Sequence, residues 1–109
     1  MAVTVIQNSC VAGAMAGLLR SHFNGSFTAA DYAAIANQAR AIADEFIVRN
    51  TASGAAIADA DNANVGALVQ SCADAAVNNV AYTSVTAADY ITIANQIYAS
   101  AKQGLTKLI

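Results

Sequence analysis

The sequence predicts an all-α fold: an antiparallel four-helix bundle made of two repeated helical hairpins with an internal pseudo-two-fold. Three observations carry this expectation. Thr28-Ala29-Ala30-Asp31-Tyr32 returns letter for letter as Thr86-Ala87-Ala88-Asp89-Tyr90. Ile35-Ala36-Asn37-Gln38 returns in the same register as Ile93-Ala94-Asn95-Gln96. Apolar residues recur at three- and four-residue steps along most of the chain, and Pro, which interrupts helices, is absent. At 109 residues the chain is read as a single domain. Repeat one covers about 3–49, a linker 50–62, and repeat two about 63–109.

The first helix is expected from about Val3 to Ser21, with Val3, Ile6, Cys10, Ala14, Gly17 and Leu18 inward. Gly13 and Gly17 lie one turn apart beside Ala12, Ala14 and Ala16. Each Gly costs a helix about 1 kcal/mol against Ala. Close approach of another helix of the same chain is the expected compensation. Asn24-Gly25 then signals a turn. It also opens a glycosylation sequon with Ser26, read here as turn chemistry.

Thr28 reads as the N-cap of the second helix, with Asp31 in support, and that helix is expected to end near Arg49. Its inward stripe is Tyr32, Ile35, Ala36, Ala39, Ala43, Phe46 and Ile47. Arg40 and Asp44 are expected to pair on the opposite side. Asp61 or Asn62 caps the third helix, expected from about Ala63 to Val80, with Val65, Leu68, Val69, Cys72, Ala76 and Val80 inward. Thr86 and Asp89 cap the fourth, whose stripe is Tyr90, Ile93, Ala94, Ile97, Ala101, Leu105 and Leu108. Gln7-Asn8-Ser9-Cys10 resembles Val69-Gln70-Ser71-Cys72, which extends the repeat upstream into the first and third helices.

Composition narrows function by exclusion. Hydrophobic residues make up 57% of the chain and charged residues 11%, with a formal net charge of −2. No basic stripe exists to meet phosphates, so no nucleic-acid partner is expected. No apolar run reaches the ~18–20 residues of a membrane span. No basic n-region precedes the apolar run at Val11–Leu19, so no signal peptide is expected. The chain is expected to be soluble, and intracellular or particle-associated. Alanine fills 28 positions, and Ala buries far less area than the large side chains worth about 1.5–3 kcal/mol each. A single copy would gain from a partner.

Candidate chemistry is sparse. Cys10 and Cys72 are expected as buried free thiols, with a disulfide as the alternative if their Cα atoms lie within ~7 Å. His22 is the only histidine and Glu45 the only glutamate, too few for a His/Cys metal site or a di-iron bundle. Asp59 to Asn64 departs from the EF-hand template at its fifth, sixth and twelfth positions, occupied by Ala63, Asn64 and Gln70. Tyr82 and Tyr98 are candidates to line a cleft. No catalytic residue, cofactor or metal is expected.

The duplicated amides Asn37, Gln38, Asn95 and Gln96 are the candidate partner contacts. Asn is disfavoured inside helices and is not required twice on an outer face by the fold alone. It has either a partner or simply persisted after duplication. The expectation is a non-enzymatic structural or assembly protein whose partner is itself or another protein, with a virus or phage particle accessory as one setting. A small protein-binding module or inhibitor is the first alternative, and a small-molecule-binding bundle the second.

Overall fold

A computed structural model describes residues 3–20, 27–53, 59–78 and 87–108. These residues form four helices: α1 Val3–Arg20, α2 Ala29–Ser53, α3 Asp59–Asn78 and α4 Ala87–Leu108. No strand occurs among the described residues. The fold is all-α and its packing is that of a helical bundle. His22, the Asn24-Gly25 turn, Val80, Tyr82 and Thr86 lie outside the described residues.

The start of α2 follows from two side chains. Asp31 N–H donates to Thr28 Oγ1 at 3.3 Å, while Thr28 N–H donates to Asp31 Oδ2 at 2.9 Å. Two otherwise orphaned backbone donors are thereby satisfied reciprocally, a capping box with Asp in place of the longer Glu. The Thr28 hydroxyl also donates to the same carboxylate at 3.0 Å. Burial of Asp31, which is 7% exposed, is offset by these bonds.

Two boundaries differ from expectation. α2 continues past Arg49 to Ser53, and α3 begins at Asp59 rather than near Ala63. The stretch between them is therefore much shorter than a 50–62 linker. No Gly or Pro intervenes before Gly54. Thr51, polar but still helical, returns its hydroxyl to the Ile47 carbonyl at 2.9 Å. Asp61 and Asn62 lie inside α3 rather than at its cap.

α1 packs most extensively on α3, α2 on α4, and each of α1 and α3 also on the helix that follows it. α2 and α3 touch only slightly. The core is formed by Ile6, Cys10, Ala14 and Leu18 of α1, Ile35, Ala39, Ile42 and Phe46 of α2, Val65, Val69, Ala73 and Val77 of α3, and Tyr90, Ile93, Ile97, Ala101 and Leu105 of α4. Of the expected α4 stripe, Tyr90, Ile93, Ala94, Ile97, Ala101 and Leu105 are buried. Leu68 and Cys72 are only partly covered.

The α1–α3 joint explains the two glycines. A Cβ at Gly13 would overlap the Gly66 carbonyl of α3. A Cβ at Gly17 would overlap the Gln70 carbonyl and lie 2.7 Å from Ala73 Cβ. Glycine is what lets these backbones touch. The register advances the same way on both helices: Ser9 neighbours Gly66, while Gly17 neighbours Gln70, Ala73 and Asp74.

The faces in this joint are not equivalent by repeat. Aligned through Cys10 and Cys72, the α1 face bearing Ser9 and Gly13 corresponds to Ser71 and Ala75, which are exposed. A two-fold would bring equivalent faces together. The expected pseudo-two-fold does not describe this contact.

Candidate functional site

The duplicated amides sit where α2 meets α4. Gln38 Nε2 donates to Asn95 Oδ1 at 3.1 Å. Asn37 and Asn95 are exposed and Gln38 and Gln96 half-buried. Of the four candidate contacts, two therefore bond to each other within the chain. The Asn37 side chain makes no hydrogen bond among the described residues. Gln96 Oε1 is buried without a hydrogen-bond partner.

Further contacts tie the same two helices. Arg49 Nη1 donates to the Lys102 carbonyl at 3.4 Å, and its Nε pairs with Glu45 Oε1 at 3.1 Å. The Arg40–Asp44 pair expected from spacing does not form. Asp44 Oδ1 instead accepts from Gln7 Nε2 of α1 at 2.9 Å, a short neutral-to-charged bond that competes well with an exposed ion pair. The Phe27 and Tyr90 rings meet edge to face, with centroids 5.3 Å apart and planes at 79°. Tyr90 is 1% exposed, whereas its repeat twin Tyr32, expected inward, is 41% exposed. Tyr32 has no such ring above it among the described residues.

Ile42 was not part of the expected α2 stripe, yet it is fully buried. It lies on the stripe of Gln38, Glu45 and Arg49, the side of α2 covered by α4. Its repeat twin Ser100 is exposed. A single large apolar residue among polar neighbours on this stripe of α2, where α4 has Ser100, was the available signal.

The cysteines are free. Cys10 is buried and Cys72 only half-buried, less than expected. Burial, then the Asp44 carboxylate, pushes the Cys10 thiol from 9.0 up to about 12. Burial raises Cys72 as well. Neither has the electropositive setting of a reactive thiolate. Burial, then Asp31, raises the Tyr90 hydroxyl.

Among the described residues no three His, Cys, Asp or Glu side chains gather as a metal site would require. Lys102 Nζ lies 5.6 Å from the centre of the Tyr98 ring, on the outside of α4. A shallow groove of about 400 Å³ runs between α1 and α3, lined mainly by Ser9, Ala12, Gly13, Asn62, Gly66 and Gln70. Asn62 Oδ1 is buried there without a hydrogen-bond partner. No described helix is long and apolar enough to cross a membrane. Compared with protein-family models, curated proteins and solved structures, the chain matches none.

Proposed function

We propose that the protein is a non-enzymatic assembly component that associates with further copies of itself or packs into a larger complex. The observation that carries this reading is its surface. Val5, Phe27, Tyr32, Val48 and Ile91 are large, apolar and exposed, Val48 to 65% and Ile91 to 56%. Only 11% of the chain is charged, so little electrostatic repulsion holds copies apart. A virus or phage particle is one setting that suits a small, charge-poor helical unit of this kind. Light scattering tests the self-association: masses above 11.1 kDa that grow with concentration support it, and an invariant monomer contradicts it.

The reading includes an architecture. Each repeat is an antiparallel hairpin. Gln7 of α1 bonds Asp44 of α2, and α1 ends at Arg20 while α2 begins at Ala29. Were the helices parallel, that bond would set those two ends about 42 Å apart at 1.5 Å per residue. The connecting chain reaches only about 30 Å. Leu68 and Gly104 meet between α3 and α4, and the same reasoning applies there. The two hairpins then lie side by side and point the same way, one displaced sideways from the other. In such an arrangement α1 neighbours α3 and α2 neighbours α4.

A second reading, a module that binds another protein on one face, draws on the α1–α3 groove and its unpaired Asn62 oxygen. Lys at Ala12 and Ala67, both exposed, would fill that groove. Loss of a partner without loss of self-association would favour this second reading.

A further inference from the structure

The joint between the two hairpins uses different residues on its two sides, and each of those residues has a repeat twin outside the joint. On α2 the joint presents Gln38, with Ile42 buried on the same stripe. The twins on α4 are Gln96, whose Oε1 lacks a partner, and Ser100, which is exposed. On α4 the joint presents Asn95 as acceptor and Tyr90 as the ring buried against Phe27. The twins on α2 are Asn37 and Tyr32, both exposed. The two contacts, one polar and one aromatic, therefore have exposed counterparts on α2, Asn37 and Tyr32, about 140° apart around the helix. The complementary half of the polar contact, Gln96, lies on α4.

We propose that copies of this chain stack head to tail, the outer side of α4 in one copy seating the outer side of α2 in the next. Gln96 of one copy then donates to Asn37 of the next copy, as Gln38 does to Asn95 within the chain. The occupant is a second copy because the surface continues an interface the chain already makes with itself. Such a contact is heterologous, so it leaves one open half at each end and continues without closing. The α2–α4 side carries it. On the α1–α3 side, exposed Ala75 stands where α1 has Gly13, which keeps those backbones further apart between copies than within one.

This inference rests on the self-association proposed above, and one experiment separates the two. Asn37→Lys, which puts a cation where the acceptor stood, blocks one end of the stack, and Gln96→Leu, which removes the donor, blocks the other. Each variant alone is expected to sediment at 11.1 kDa under conditions where the wild type forms larger species. Mixed in equal amounts, the two are expected to give a species of twice that mass and nothing longer, because one intact pair of halves remains. Wild-type assembly with a mixture that stays monomeric overturns head-to-tail stacking. So does wild-type assembly that both substitutions leave unchanged, and so does a wild type that stops at a closed dimer. Those results leave self-association standing; a monomeric wild type overturns both. Circular dichroism checks that each variant keeps its helix content. Asn37→Ala, which removes the acceptor, and Gln96→Ala, which removes the donor, serve as the milder pair with the same outcomes if either variant unfolds.

Discussion

At the scale of single residues, the glycines and cysteines make the sharpest claims. Gly13→Ala forces its new Cβ into the Gly66 carbonyl. Backbone cannot swing aside as a side chain can, so overpacking of about 1–3 kcal/mol opposes a propensity gain of about 1 kcal/mol. The expected result is a lower urea midpoint. Gly104→Ala is the control. Its Cβ meets a Leu68 methyl at 2.5 Å, the movable end of a flexible side chain, so the midpoint should hold or rise. Equal losses in both variants would contradict the asymmetry of the two sites.

Cys10 supplies a pH prediction. Its folded thiol titrates at about 12 against an ordinary 9.0. A raised acid keeps its proton in the fold while the unfolded chain gives it up. The contribution is thus complete below pH 9 and is lost as pH climbs toward about 12. Urea melts between pH 7 and 10.5 should show stability declining above pH 9, with a shallower decline in Cys10→Ala. An alkylating reagent should modify Cys72 before Cys10 in the folded protein. Simultaneous labelling would mean that α1 opens readily.

At the scale of elements, the cap of α2 is the separable piece. Thr28→Ala removes the acceptor for Asp31 N–H and the hydroxyl that donates to the Asp31 carboxylate, leaving the backbone N–H bond to that carboxylate in place, and a loss of about 0.5–2 kcal/mol is expected. Chemical denaturation measures it, and an unchanged midpoint would remove Thr28 from the account. This cap was legible in the sequence because its chemistry is local: a hydroxyl and a carboxylate three residues apart. The four helices were legible for a related reason, since periodicity needs only the chain itself. Boundaries were less so. Asn50 to Ser53 and Asp59 to Asn62 look like linker by composition, yet they are helical. Tyr32 could not be read correctly from its twin. Identical residues at equivalent positions have different neighbours when one repeat is covered on a side where the other is open.

At the scale of the whole molecule, the duplicated segments predicted two related halves but not which faces join them. One signal bore on this. In the sequence the glycines of α1 align with Ala75 and Asn79, not with glycines. Equivalent faces meeting across an axis would have called for glycine in both. The candidate amides were legible as duplicates. Their division into one internal pair and two open halves was not, because it depends on the sideways relation of the hairpins. On the proposed sideways relation, a unit whose two halves join without symmetry carries the same open joint at both outer edges.

The most direct test is the distribution of masses in sedimentation velocity across a wide concentration series of the unmodified protein. The account expects a ladder of multiples of 11.1 kDa that lengthens as concentration rises. A single species of 11.1 kDa at every concentration would contradict it.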